Sequence, residues 1–137
     1  MPRFMLDTDT CSYIVKRSST ILLKSLQSIP VRDVCISVIT KAELLYGVEI
    51  SPRRRQDEAA VQLFLRHVEV MDFPDESATD YAKIRADLKN RGEMIGANDL
   101  LLAAHARCLD LILVTNNTRE FRRVRGLSIE NLTLPLA

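Results

Sequence analysis

The sequence predicts an α/β domain of three layers, with helices covering both faces of a central parallel sheet of four or five strands. Short apolar runs alternate with longer segments of helical periodicity along the chain, as in repeated β-α-β units. The apolar runs are continuous, which is typical of strands that are buried on both faces. With 137 residues, 47% of them hydrophobic, residues 1–137 are expected to form a single domain with its own core.

The first strand is predicted at Arg3 to Leu6, where an apolar run ends directly on the acidic segment Asp7-Thr8-Asp9. Residues 12–24 mix apolar and polar side chains and are consistent with one or two short helices. Because ligands of parallel sheets bind beyond the carboxyl ends of the strands, Asp7 is the first candidate for chemistry. The alternative is that Asp7 and Asp9 only cap the following helix, since aspartate is an ordinary N-cap residue.

The middle of the chain predicts a strand, two helices and a further strand. Val34 to Ile36 is the second strand, and Ser37 is a plausible N-cap for a helix that carries Glu43 about two turns in. After a basic break, residues 56–68 show the spacing of a helix face and are expected to form a hairpin with the preceding helix. Val68 to Phe73 then predicts a third strand.

The last third of the chain predicts two helices and two strands. A helix is expected over Glu76 to Asn90, and a second helix begins at the Gly96 junction and runs through Cys108. Asp99 falls in the first turn of that second helix, where the helix dipole favours a carboxylate. Leu111 to Val114 is the strongest predicted strand, and Leu127 to Leu134 is expected to add one more short strand.

Composition and cysteine usage exclude several classes of protein. Cys11, Cys35 and Cys108 make an odd count without the spacing of a zinc or redox motif, so they are interpreted as reduced core thiols. The N-terminus does not have the pattern of a signal peptide, and no apolar run approaches membrane-spanning length. We therefore expect a cytoplasmic protein.

The net charge of +1 excludes a bulk polycation, but the arginines are clustered along the chain. The clusters are Arg53-Arg54-Arg55 and the group Arg119, Arg122, Arg123 and Arg125. Local basic patches of this kind can contact a nucleic acid in a protein whose total charge is near zero. The alternative for each cluster is an ordinary solvated face.

Three carboxylates from distant parts of the chain are predicted to meet at one rim of the sheet. If Asp7, Glu43 and Asp99 were crowded without a cation, their charges would repel one another strongly. A divalent ion removes that conflict, and oxygen ligands without histidine or cysteine select Mg²⁺ or Mn²⁺ over zinc. Such an ion lowers the pKa of a bound water and neutralises phosphoryl charge, as phosphodiester hydrolysis requires.

Four stretches, in order along the chain, also match a known family. They are Phe4 to Thr8, Ser37 to Gly47 with its Glu43-Leu44-Leu45-Tyr46-Gly47, Ile95 to Asp99, and Leu113 to Phe121. On these stretches the chain resembles PIN-domain ribonucleases, and most closely the VapC-type toxins of bacterial toxin/antitoxin pairs. Each motif alone is weak, but four in register are specific.

The resemblance implies a catalytic site and its partners. Asp7, Glu43 and Asp99 would hold Mg²⁺, with Thr115 and Asn117 nearby to position water or phosphate, and one or two ions would activate water for attack on RNA. The implied substrates are structured RNAs, with initiator tRNA as the leading candidate, contacted by the arginine clusters. A cognate antitoxin whose tail blocks the cleft, often through a basic residue, and a homodimer are also implied.

The chain departs from the family pattern at Asn117, where many PIN domains carry a fourth acid. Glu120 is a candidate substitute as a metal ligand, and the alternative is that it only helps to start the following helix. Asp9 replaces a residue that is often asparagine, and it either adds charge to the site or caps a helix. His67 and His105 lie at helical core spacing and are interpreted as packed or surface residues, not as metal ligands.

Two other functions share part of this pattern. Asp7-Thr8-Asp9-Thr10 imitates the nucleophile motif of haloacid-dehalogenase-like phosphatases, in which Asp7 would form a covalent intermediate. That family requires a later lysine, and this chain has none after Lys89. A non-catalytic phosphoacceptor signalling domain meets the same objection, and a purely structural interaction module leaves the acids at the strand ends unexplained.

Overall fold

The apolar runs of the sequence form five short strands in the computed structural model, which describes residues 1–133. The strands in chain order are β1 (Phe4–Leu6), β2 (Val34–Ser37), β3 (Glu69–Met71), β4 (Ile112–Val114) and β5 (Ile129–Glu130). They pair in the order β3-β2-β1-β4-β5, and every pair is parallel. The predicted parallel sheet is confirmed, with the larger of the two expected strand numbers.

Helices connect these strands and cover both faces of the sheet. The helices are α1 (Thr8–Lys16), α2 (Thr20–Gln27), α3 (Val38–Glu49), α4 (Arg54–His67), α5 (Ser77–Arg91), α6 (Ala97–Cys108) and α7 (Thr118–Phe121). One apolar cluster contains Met5 and Leu113 with side chains of α5 and α6, and a second contains Leu6 and Val114 with side chains of α1, α3 and α4. Successive residues of β1 thus enter opposite layers, as strand geometry requires.

The first helix begins at Thr8, four residues before the predicted segment 12–24. It does so because the Asp7 side chain caps it, accepting a hydrogen bond from the backbone N–H of Thr10. The predicted segment covers the end of α1 and the start of α2, and α2 is capped by Ser19. Helix α5 ends at Gly92, whose φ of 66° lies in the left-handed region that glycine adopts without strain.

The remaining predicted boundaries agree within a few residues. The third strand is shorter than Val68 to Phe73, and the fifth occupies only two residues of the predicted 127–134, of which 134 lies outside the described residues. No helix within 1–133 combines the length and apolar character needed to cross a bilayer. Cys11 and Cys35 are fully buried, and burial raises the pKa of the Cys35 thiol to about 12.

The strand register places the carboxyl ends of the three central strands, β2, β1 and β4, at the same edge of the sheet. Leu6 at the end of β1 pairs with Ile36 of β2 on one side and Val114 of β4 on the other. The next residues along the chain, Asp7, Ser37 and Thr115, therefore start from one edge of the sheet. All three are buried, which is unusual for polar side chains and indicates that each has a partner.

Candidate metal centre

Asp7 is fixed at the carboxyl end of the central strand and is only 4% exposed. Its backbone N–H donates to the carbonyl of Val114 over 3.0 Å, and its Oδ1 accepts from the N–H of Thr10 over 2.9 Å. The two interpretations of Asp7 are therefore compatible, because one residue both caps α1 and lies at the rim. Asp9 is exposed in the first turn of α1 and is not its N-cap.

Opposing effects act on the charge of Asp7. Burial raises the pKa of its carboxyl group, and the nearby charge of Asp9 acts in the same direction. Hydrogen bonds from Thr115 and Thr10 lower that pKa by stabilising the carboxylate. A buried carboxylate with donors on its oxygens is suited to remain charged and to accept a cation.

Glu43 projects from α3 toward the same rim and is held there by a threonine. The Thr8 hydroxyl donates to Glu43 Oε1 over 2.6 Å, and the Thr40 hydroxyl lies 3.3 Å from that of Thr8. Our sequence reasoning assigned no role to Thr8 or Thr40. The available signals were that Thr8 follows Asp7 directly and that Thr40 lies one turn before Glu43 on the same helix face.

Asp99 is the most strongly perturbed acid of the site, with a pKa raised to about 7. Burial is the largest cause, followed by a hydrogen bond with Glu120 and then by the charges of Glu120, Asp7 and Glu43. Two carboxyl groups can hydrogen-bond only if one of them keeps a proton. The three predicted carboxylates and Glu120 therefore interact electrostatically within a single cluster. We call it the acidic cluster (Asp7, Glu43, Asp99, Glu120).

Thr115 and Asn117 link the two halves of the acidic cluster. The Thr115 hydroxyl oxygen accepts from the backbone N–H of Asn117 over 2.9 Å, and the hydroxyl also bonds the Asp7 carboxylate. Asn117 Nδ2 donates to Glu120 Oε2 over 3.1 Å. Asn117, which replaces the expected fourth acid, thus orients another acid. Asn116 is exposed and donates to the hydroxyl of Tyr13.

The donor set fits a hard divalent cation, although the ligand-free geometry does not chelate one. Across residues 1–133, no three acidic, histidine or cysteine side chains converge closely enough to hold an ion as they stand. Burial and the neighbouring acids raise the pKa of Asp99, so that its carboxyl group holds a proton more readily than a free aspartate does. A divalent cation would replace that proton and draw the oxygens together.

The arginine clusters divide into exposed and engaged side chains. Arg54 forms ion pairs with Glu49 and Glu58, at 2.8 and 3.0 Å. Arg123 donates to the carbonyls of Glu93 and Met94 and so ties the C-terminal segment to the loop after α5. The exposed members of the two clusters with no ion pair in the described part of the chain are Arg53, Arg55, Arg119 and Arg122.

His105 is a core residue, as the sequence pattern indicated, whereas His67 is exposed. The His105 ring is fully buried in α6, with Nδ1 at 2.8 Å from the hydroxyl oxygen of Ser37 and its edge against Phe73. Burial lowers its pKa, and a hydrogen bond with the backbone of Asp72 opposes this change. Folding therefore favours the neutral imidazole.

This buried imidazole predicts that the protein loses stability in mild acid. Unfolded histidine has a pKa of about 6.5, so below that pH the unfolded chain binds a proton that folded His105 excludes. The stabilising contribution is complete above about pH 6.5 and falls as the pH drops below it. We expect urea unfolding at pH 7.5 and 5.5 to show a smaller pH-dependent loss in His105→Asn than in the wild type.

His67→Asn is the matched control, because His67 is exposed. The carboxylates that titrate over the same pH range are present in all three proteins. Their contribution to the pH dependence therefore cancels when each variant is compared with the wild type. If His105→Asn and His67→Asn show the same pH dependence as the wild type, folding does not lower the pKa of His105.

Comparison with known proteins places this site in a family. The PIN domain family matches residues 4–127. The ribonuclease VapC2 of Haemophilus influenzae is 40% identical over 131 residues, covering 96% of this chain and 98% of that protein. The tRNA(fMet)-specific endonuclease VapC of Shigella flexneri is 38% identical over 131 residues, with the same coverage. The chain belongs to the PIN-domain family.

Solved structures agree with this assignment. The DNA-bound VapBC complex of Salmonella typhimurium contains a chain that superposes with a TM-score of 0.90 at 37% identity, covering 96% of this chain and 99% of that one. The VapBC2 complex of Rickettsia felis gives a TM-score of 0.87 at 35% identity, with 93% and 97% coverage. Within the family the protein groups with the VapC ribonucleases, and it is a nuclease. The phosphatase and phosphoacceptor alternatives have no support.

Proposed function

We propose that the protein is a Mg²⁺-dependent endoribonuclease toxin of a type II toxin/antitoxin pair, acting in the cytoplasm as a single nuclease domain over residues 1–137. The observation that carries the proposal is the acidic cluster, in which Asp99 has a pKa raised to about 7 by burial and by neighbouring carboxylates. A structural role would not need such mutual repulsion, since an apolar or amide side chain would pack there without it.

In this proposal Asp7, Glu43 and Asp99 hold Mg²⁺, with Mn²⁺ as a substitute and Glu120 as a fourth ligand. When bound, the ion would acidify a water molecule and neutralise charge on the phosphoryl group. The Thr115 hydroxyl donates to Asp7 and so opposes the rise in its pKa that burial causes, and Thr8 holds Glu43 toward the rim. Asn117 orients Glu120 in the same way.

RNA binding is assigned to the arginine clusters named from the sequence. Arg53, Arg55, Arg119 and Arg122 are exposed and able to contact phosphates. Arg54 would contribute only by exchanging its ion pairs with Glu49 and Glu58, which are exposed and therefore weak. The basic side chains would steer the RNA backbone without selecting its sequence.

Initiator tRNA is the proposed substrate among structured RNAs. The relatives in Shigella flexneri and Salmonella typhimurium, 38% and 37% identical, are named tRNA(fMet)-specific endonucleases. The solved VapBC complexes further support a cognate antitoxin as partner. We propose that its tail blocks the acidic cluster through a basic residue, and that the toxin is a homodimer within a toxin/antitoxin hetero-oligomer.

Incubation of the purified protein with total RNA, with and without Mg²⁺, tests this function. We expect Mg²⁺-dependent fragments whose mapped ends fall in initiator tRNA, and no fragments when EDTA is present. Elongator methionine tRNA is the matched control for the substrate. Equal cleavage with and without Mg²⁺ would contradict the metal requirement, and cleavage of other RNAs alone would contradict the substrate.

Replacing Glu120 with alanine is expected to raise the Mg²⁺ concentration for half-maximal cleavage by about tenfold, because a candidate ligand next to Asp99 is lost. Cleavage rates measured over a Mg²⁺ titration provide the test. Glu76→Ala is the control, since Glu76 is exposed at the start of α5. An unchanged rate at limiting Mg²⁺ would assign Glu120 to structure alone.

A further inference from the structure

We infer that His105 is a positioning residue that fixes the distance between the helices carrying Glu43 and Asp99. This inference rests on the proposed metal-dependent function, because it explains how two ligands on separate helices are brought into register. His105 touches neither carboxylate; it would act through Ser37, at the start of α3.

The contact between His105 and Ser37 is buried and directional. Both residues are 0% exposed, and His105 Nδ1 lies 2.8 Å from Ser37 Oγ. Ser37 Oγ already accepts from the backbone N–H of Ile39 over 3.0 Å as the N-cap of α3. The Ser37 hydroxyl still has its own proton and a second lone pair with which to bond Nδ1. One hydrogen-bonded chain joins the first turn of α3 to α6.

This contact is the direct polar link between α6 and the start of α3. The buried Leu44 of α3 belongs to the apolar cluster on one face of the sheet, and Leu100 of α6 belongs to the cluster on the other. Among residues 1–133, no other hydrogen bond joins α6 to β2 or α3. Helices α3 and α6 also contact each other directly, and the His105–Ser37 bond adds a directional polar constraint to that packing.

The His105–Ser37 contact is separated from each of the two carboxylates by the same number of residues. Glu43 lies six residues after Ser37, and Asp99 lies six residues before His105. Six residues of α-helix span about 9 Å. Because the charge of Glu43 raises the pKa of Asp99, both carboxylates lie toward the same region. A change in the distance between His105 and Ser37 would therefore shift both helices and change the separation of the two carboxylates.

The His105 ring makes polar contacts that an apolar side chain of similar size could not provide. Nδ1 bonds the Ser37 hydroxyl, and the ring also hydrogen-bonds the backbone of Asp72, just after β3. The first of these contacts reaches the start of α3.

The test measures Mn²⁺ affinity of the RNA-free protein by isothermal titration calorimetry for His105→Leu, His105→Asn and Ser37→Ala. We expect about tenfold weaker Mn²⁺ binding in His105→Leu and in Ser37→Ala, and no further loss when the two are combined, since they remove the same bond. His105→Asn, which keeps a hydrogen-bonding atom near the position of Nδ1, is expected to recover part of the affinity. The Mg²⁺ dependence of cleavage should shift in parallel, with the KM for RNA unchanged.

Leu88→Ala is the control for general destabilisation. Leu88 is fully buried in α5, in the same apolar cluster as Leu100. Its truncation therefore leaves a cavity without removing the hydrogen bond between His105 and Ser37. We expect it to lower stability and to leave Mn²⁺ affinity unchanged. If His105→Leu does not fold, the Mn²⁺ affinities of Ser37→Ala and His105→Asn are compared with those of the wild type and Leu88→Ala.

The outcomes separate this inference from the proposed function. Wild-type Mn²⁺ affinity in Ser37→Ala, or an equal loss in Leu88→Ala, overturns the positioning role while the nuclease assignment stands. A wild-type protein that binds no Mn²⁺ overturns the metal-dependent function itself.

Discussion

Replacing Asp99 with asparagine is expected to lower the rate of Mg²⁺-dependent RNA cleavage by about a thousandfold or more, equivalent to about 4 kcal/mol of lost transition-state stabilisation. The amide keeps the size of the side chain but cannot supply the negative oxygen that a divalent cation requires. Because Asp99 is crowded by Glu120, Asp7 and Glu43, neutralising it removes repulsion and should not unfold the domain. Initial cleavage rates at saturating Mg²⁺, together with circular dichroism, provide the measurement.

Asp110→Asn is the matched control for Asp99→Asn. Asp110 follows α6 and is exposed, with a φ of 56°, a backbone conformation that asparagine adopts readily. It is expected to cleave at the wild-type rate. Full activity in Asp99→Asn, with bound metal measured in the same samples, would refute the assignment of this acid.

The second large effect is expected at Asp7, where two variants separate chemistry from folding. Asp7→Asn retains an oxygen that can accept from the N–H of Thr10, so we expect near wild-type stability and a loss of cleavage of about a thousandfold. Asp7→Ala loses the same activity and also the helix cap, which costs about 1 kcal/mol of unfolding free energy. Denaturant unfolding and cleavage assays on both variants distinguish the two losses.

Ser19→Ala supplies the complementary control for Asp7. The Ser19 side chain caps α2 by accepting from the N–H of Leu22 over 3.2 Å. Its removal should cost a similar amount of stability and leave cleavage unchanged. If Asp7→Asn cleaves RNA at a rate like that of Ser19→Ala, Asp7 serves only as a helix cap.

The sequence is informative where the cause of structure is local. Continuous apolar runs predicted β1 and β4, and Ser37 was recognisable as a cap because it stands between a strand and a helical pattern. Asp7 could be named because it follows a strand and Asp99 because it begins a helix, whereas Glu43 lies in the middle of α3 and was named with the help of the family resemblance. Their meeting at one rim followed from the rule that parallel strands end together.

Contacts that depend on tertiary packing were not predictable in the same way. Nothing in the sequence pairs Thr8 with Glu43, since the two are 35 residues apart. The approach of Glu120 to Asp99 joins α7 to α6, and without the family resemblance Glu120 could be interpreted only as a helix-starting acid. The ion pair of Arg54 with Glu49 likewise depends on where α3 and α4 meet, whereas its pair with Glu58 is a local contact one turn along α4.

The position of β1 between β2 and β4 affects how an unfinished chain behaves during synthesis. Asp7 is translated well before its partners, because the carbonyl that receives its N–H belongs to Val114 and the hydroxyl that bonds its carboxylate belongs to Thr115. A nascent chain that has not reached these residues lacks the partner strand on that side and cannot hold the carboxylate in place. Nascent chains that stop before Val114 are therefore expected to lack nuclease activity.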